Sequence, residues 1–313
     1  MDYPNMKYYK DNEVKTDAVI RFLEKLKKHN PNAFVIWYGG EPFLREDLPE
    51  IINYCNENEI PYTIISNNTK KIKPMIDQLL NKVSYISGFT ASVDPIMFEV
   101  NKYMKDSYKK SISGLGGLLD YQGKIKDLVA EITVTRDNLH YLYPLVKVLT
   151  NCEINSDITF VDISKSRYYD FSNVEDDSIL VPKNQEVRDI LDTLISEKLN
   201  IHMRDTLLDK IYEILPSDLD CGIDKDIHNI CVDADGSIRL CLRIRGTISP
   251  YSVNIENIFN EENNVNKILK DCIINDKSLY CKKCNHSCYL MSKMISENED
   301  SSNSLIHSDV RKE

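Results

Sequence analysis

Phe34-Val35-Ile36-Trp37-Tyr38-Gly39-Gly40-Glu41-Pro42-Phe43 is the stretch whose reading decides the fold. An apolar, β-branched and aromatic run ends abruptly on two glycines, a carboxylate and a proline. The run is short and lacks polar alternation, so it reads as a fully buried strand. Gly39 and Gly40 let the chain turn sharply and let a ligand approach the backbone. Glu41 then falls at the carboxyl end of the strand, where α/β folds place their chemistry. Pro42 fixes φ just ahead of a helix and removes one donor. A carboxylate held there suits an amine or another cation. The plainer alternative is a strand-to-helix turn with a solvated Glu.

Working outward, the chain alternates strands and helices about five times. A helix begins near Thr16, a possible cap, and carries Val19, Phe22, Leu23 and Leu26 on one face. A helix with Leu48, Ile51, Ile52 and Cys55 follows the central stretch. Next come a strand from Tyr62 ending in Ser66 and Asn67, a helix over 74–81, and a strand from Tyr85 ending in Ser92, Val93 and Asp94. Helices over 95–101 and 108–121, a strand over 128–135, a helix over 139–150 and a strand over 154–163 complete the series. This alternation predicts parallel strands with crossover helices. It fits a barrel and a doubly wound sheet equally. The polar residues at the strand ends have an ordinary role available in turns and caps.

With 313 residues the chain is long enough for two domains, and 42% hydrophobic residues support a real core. A net charge of −10 argues against nucleic acid as a partner. No apolar run is long enough to cross a membrane and the sequence opens without a signal segment, so a cytoplasmic protein without a membrane partner is expected. Nine cysteines in that setting point to metal ligation rather than disulfides. Cys55 and Cys152 stand alone and read as small core residues. Cys221, Cys231, Cys241, Cys272, Cys281, Cys284 and Cys288 all fall in the last third.

Asp235-Gly236 marks a hairpin between Cys231 and Cys241. A two-residue turn would put these cysteines on opposite faces, and a three-residue turn with Gly236 as the bulge on the same face. Cys281-x2-Cys284 presents two thiolates from a tight turn. With Cys221 and Cys241 it completes a four-thiolate set suited to zinc or an iron–sulfur cluster. Cys288, Cys231 and His286 are further candidate ligands, and the choice between zinc and iron–sulfur stays open.

Gly39-Gly40-Glu41-Pro42 after a buried strand resembles the GGEP motif of radical S-adenosylmethionine (SAM) enzymes. The spacing Cys221-x14-Gly236-x4-Cys241, then Cys281-x2-Cys284-x3-Cys288, is similar to their SPASM/twitch extensions. Together the likeness spans about residues 33–165 and 221–288. It implies an α/β fold: an incomplete (β/α)6-type partial barrel lacking its first strand, then a small cysteine-rich α+β twitch/SPASM-like domain. The implied boundaries are a barrel over 1–170, linker and helices over 171–220, an auxiliary-cluster domain over 221–291 and a disordered tail over 292–313.

The resemblance further implies SAM held by Gly39, Gly40, Glu41 and Pro42, with Ser66, Asn67, Ser92 and Asp94 around it. It implies an auxiliary [4Fe–4S] cluster on Cys221, Cys241, Cys281 and Cys284, with Cys288 or Cys231 as substitute. The partners implied are a peptide or protein substrate and an electron donor such as a flavodoxin or ferredoxin. The implied activity is hydrogen abstraction from the peptide by a SAM-derived 5′-deoxyadenosyl radical. The sequence departs from the family at one point. No cysteine precedes Cys55 and no C-x3-C-x2-C occurs, although Met1-Asp2-Tyr3-Pro4-Asn5 looks like the segment that follows that motif. The expectation is an N-terminally truncated form that does not cleave SAM. The competing expectation is a non-catalytic peptide- or SAM-binding protein with a structural zinc. No individual catalytic residue is identified.

Overall fold

The computed structural model describes residues 11–39, 41–67, 72–93, 119–121, 123–160, 181–201, 230–239 and 254–259. Its centre is a parallel sheet of five strands in sequence order: β1 (Val35–Trp37), β2 (Tyr62–Ser66), β3 (Ile86–Ser92), β4 (Ile125–Val134) and β5 (Asn155–Phe160). Helices α1 (Thr16–His29), α2 (Leu48–Glu57), α3 (Lys73–Leu80), α4 (Leu142–Asn151) and α5 (Gln185–Ser196) flank it. The expected alternation is therefore present, with β4 starting three residues earlier than its apolar run suggested. The 108–121 helix expectation meets the described residues only at a short 3-10 turn, Leu119–Tyr121.

The register sorts the strand residues onto two chemically different faces. Ile64 pairs with Phe89, Phe89 with Leu128, Ala130 with Ser156 and Ile132 with Ile158. Side chains alternate along a strand, so Tyr62, Ile64, Phe89, Ala130, Ile132, Val134, Ile158 and Phe160 share one face, and all are buried. They join one core with the stripes of the helices, such as Ala18, Val19, Phe22 and Leu23 of α1 and Ile51, Ile52 and Cys55 of α2. The opposite face carries Thr63, Thr90, Ser92, Glu131, Thr133, Asn155, Asp157 and Thr159. The same face also carries Ile36, Ile65 and Val129, so it is mixed, with its polar residues concentrated on β4 and β5.

Two expectations are corrected. The opening strand is not fully buried, because β1 stands at the edge of the sheet. Val35 and Trp37 pack on the core, but Phe34, Ile36 and Tyr38 are 53%, 49% and 41% exposed. Thr16 does not cap α1 either. Lys15 is the N-cap, and the Thr16 hydroxyl donates instead to the Asp47 carboxylate. The far edge is partly closed, since Ser156 N–H donates to the Asn200 carbonyl and Ile201 bridges to Ser156.

The C-terminal residues form a two-stranded antiparallel hairpin, β6 (Cys231–Val232) and β7 (Ile238–Arg239). Cys231 pairs with Arg239 and Val232 with Ile238, while Gly236 takes φ +80°. The turn is therefore the three-residue form with Gly236 as the bulge. The hairpin and the turn at 254–259 pack against α1. Ile255 and Ile258 are buried in the shared core, and Phe22 meets Phe259 at 5.7 Å between ring centroids.

Candidate functional site

The sequence between β1 and α2 folds as a tight corner. Gly39 adopts φ +91°, and a Cβ built there meets nothing within 4 Å. The dihedral, not crowding, selects glycine. Glu41 caps a 3-10 turn, Pro42–Leu44, with Pro42 placed where no N–H is required. Phe43 drops into the core and its ring meets Phe89 at 5.9 Å. These contacts pin the corner and leave the Glu41 side chain directed along the carboxyl ends of the strands.

There Glu41 meets β2. The Ser66 hydroxyl lies 3.0 Å from both Oε1 and Oε2, Asn67 N–H donates to Oε2 at 3.2 Å, and Phe43 N–H donates to Oε1 at 3.4 Å. Burial pushes the carboxyl pKa above its ordinary value, and the bonds from Asn67, Ser66 and Phe43 only partly offset it. Among the described residues its donors are one hydroxyl and two amides, none of them charged. A carboxylate has about four acceptor positions, and three donor protons leave room for one more. A partly desolvated anion with one open acceptor position fits an ammonium group.

Ser66, Asn67 and Glu41 are thus brought together, with Gly39 and Pro42 shaping the corner. Ser92 lies on the same carboxyl rim. Its register partner is Glu131, whose own partner is Asp157. One step beyond Ser66↔Ala91, Asn67 falls into the same row. Glu131 and Asp157 were not singled out from the sequence. The signal was there in the alternation of Asp127, Val129, Glu131 and Thr133 with apolar neighbours. Gly40 and Asp94 lie outside the described residues.

The thiolate candidates Cys221, Cys241, Cys281, Cys284 and Cys288 also lie outside them. Among the described residues no group of three or more His, Cys, Asp or Glu side chains is placed to hold a metal. Cys55 is fully buried, and burial raises its thiol pKa to about 12, the behaviour of an inert core residue. Cys152 is half-buried against the core. Cys231 is half-buried on β6. No described helix is long and apolar enough to cross a membrane.

No protein family matches the sequence, and neither does any curated protein. Solved structures do match the fold. SuiB of Streptococcus suis bound to its precursor peptide SuiA aligns with a TM-score of 0.54 at 14% identity, over 81% of this chain and 59% of that one. The same protein bound to S-adenosylmethionine gives 0.53 at 16% identity, over 90% and 67%. Native anSMEcpe with bound AdoMet and the Cp18Cys peptide gives 0.53 at 13% identity, over 90% and 87%. The chain spans about 59% of the peptide-bound SuiB chain. The shared feature is the fold: a radical-SAM-like partial (β/α) barrel, here with five described strands, and a small α+β region after it.

Proposed function

We propose that this chain is a radical SAM/twitch-type protein of the peptide- or protein-modifying kind, with Glu41 as the acceptor for the SAM amine. The observation that carries the reading is the Glu41 carboxylate, fixed by Ser66 and Asn67 at the carboxyl rim of a radical-SAM-like sheet. In support, the fold matches proteins solved with SAM and with peptides bound. Glu41 would orient the ligand, Gly39 would give it backbone to lie on and Ser92 would stand on the rim, with Gly40 and Asp94 proposed as further ligand-binding residues. The peptide would lie over the polar face of the sheet. Cys221, Cys241, Cys281 and Cys284 would hold an auxiliary [4Fe–4S] cluster, with Cys288 or Cys231 as alternates. SAM, when reduced by a cluster, supplies hydrogen-abstracting chemistry. The role proposed for the residues named here is SAM binding; no C-x3-C-x2-C occurs in the sequence.

The test is ligand-observed NMR with the full chain and two ligands, SAM and 5′-methylthioadenosine, which lacks the amine. SAM should bind weakly, and Glu41→Ala should weaken it by about tenfold, the scale of one charge-assisted hydrogen bond. Methylthioadenosine should be indifferent to the substitution. Equal loss for both ligands, or none for either, removes Glu41 from the amine site. Formation of 5′-deoxyadenosine above background by the chain alone would overturn the expectation that it does not cleave SAM.

A further inference from the structure

We infer that Arg45 is a positioning residue that ties the Glu41 corner to the C-terminal hairpin, so that the state of the hairpin is felt at the carboxylate. The inference deepens the proposed function, since it concerns the geometry of the same carboxylate. Its first ground is the hydrogen bonding around Arg45. Its guanidinium, 15% exposed, donates from Nη2 to Asp47 Oδ2 at 2.8 Å, and Nε lies 2.7 Å from Oδ1 as an ion-pair contact without hydrogen-bond geometry. Nη2 also donates to the Val14 carbonyl at 2.8 Å, and Nη1 lies 3.5 Å from Glu13. A planar, forked donor can serve a carboxylate and a carbonyl together in a fixed geometry that a lysine ammonium does not have.

The second ground is what these partners hold. On one side, Arg45 N–H donates to the Pro42 carbonyl and Leu44 N–H to the Glu41 carbonyl, both at 3.0 Å, closing the turn that Glu41 caps. On the other, Val14 N–H donates to the Ala234 carbonyl in the hairpin turn at 2.7 Å. Val14 is therefore gripped at its carbonyl by Arg45 and at its amide by the hairpin. Gly236 sits against the same residue, since a Cβ there would lie 3.4 Å from Val14 Cγ2 and 3.3 Å from Ile255 Cγ1. The path from Gly236 through Val14 and Arg45 to Glu41 is continuous, and every link is a short bond or a packed contact.

The test is amide hydrogen exchange on four forms of the full chain: wild type, Gly236→Ala, Arg45→Met and the double variant. Gly236→Ala strains a residue at φ +80°, and its Cβ would press on Ile255 at 3.3 Å and touch Val14 at 3.4 Å. It should speed exchange at the Phe43 and Asn67 amides, the two that bond to Glu41, by about tenfold. In the Arg45→Met background the same hairpin change should have no added effect there. Ile132, in the centre of β4, should be unmoved throughout. The inference fails if Gly236→Ala leaves Phe43 and Asn67 unchanged, if its effect is the same with and without Arg45, or if Ile132 rises in step as in general destabilisation. If Arg45→Met does not fold, Asp47→Asn, which weakens the grip but keeps the guanidinium, replaces it with the same outcomes. No SAM is present, so this result is independent of the ligand-binding test.

Discussion

At Glu41 two effects compete, and burial outweighs the hydrogen bonds that favour the charged form. The folded pKa is raised above the ordinary 4.5, so Glu41 favours folding fully below that value and loses this contribution as pH rises through the folded pKa. Glu41→Gln should therefore melt closer to wild type near pH 4 and gain on it toward pH 7. A difference in melting temperature that stays flat with pH would show that Glu41 is not desolvated. Asp47 has the opposite sign. Burial raises its pKa, but the bonds from Arg45 and Thr16 and the Arg45 charge outweigh it, and the net shift is downward from 3.8. Its contribution is present above 3.8 and lost as pH falls through the lowered folded value. Asp47→Asn should cost about 1–2 kcal/mol at pH 7 in denaturant unfolding, the scale of charge-assisted bonds discounted for partial exposure. The cost should fade in strong acid.

Among the elements, the strands show best what a sequence can and cannot say. Gly88 lies on the polar face of β3, and a Cβ there would sit 3.0 Å from Thr63 Cβ, Thr63 Oγ1 and the Tyr62 carbonyl. Gly88→Ala should cost about 1–3 kcal/mol, as small overpacking changes do, measured against wild type by urea unfolding. Asn138 secures the end of β4, with its Oδ1 accepting from Thr135 N–H at 2.7 Å and its Nδ2 donating to the Thr133 carbonyl at 3.0 Å. It is 1% exposed, so Asn138→Ala strands buried backbone groups and should cost about 1–3 kcal/mol. The Gly88 role is not written in local pattern, because it depends on Thr63 and Tyr62 of the neighbouring strand, whereas Asn138 bonds residues three and five positions back. Strand identity was legible, since β-branched runs between turn residues mark it well. The place of β1 was not: Phe34 to Tyr38 are apolar on both faces whether the strand is central or at an edge. Glu41, Ser66 and Asn67 could be singled out because Ser66 and Asn67 close β2 and Glu41 follows β1 across its glycine turn. Glu131 and Asp157 were weakly marked, since alternation sets them apart from apolar neighbours but only the register shows which face they take. The hairpin had two permitted turn lengths by sequence, and only the pairing of Cys231 with Arg239 chose between them.

For the whole molecule, the question is how the cysteine-rich third is coupled to the barrel-like part. The described contacts make α1 the common wall. Its inner face carries Val19 and Leu23 of the core, Phe22 meets Phe259, and Lys25 Nζ reaches the Glu256 carbonyl at 3.2 Å. We propose one oxygen-sensitive [4Fe–4S] cluster on Cys221, Cys241, Cys281 and Cys284. Four thiolates from residues sixty apart would tie the hairpin to the C-x2-C turn, and metal binding of that kind is coupled to folding. Loading should therefore raise the stability of the C-terminal region and, through Phe259 and Ile255, slow amide exchange in α1. Anaerobic reconstitution with iron and sulfide should give broad visible absorption and about four irons per chain. Cys241→Ala and Cys281→Ala should each reduce the iron bound and speed exchange in α1 together. Cys55→Ala, which removes a buried core thiol, should leave the iron untouched while costing some stability. One tightly held zinc with no uptake of iron would exclude the cluster and leave a structural zinc site in its place. Iron bound in full by the Cys281→Ala variant would exclude the proposed ligand set, with Cys288 and Cys231 the next thiolates to replace.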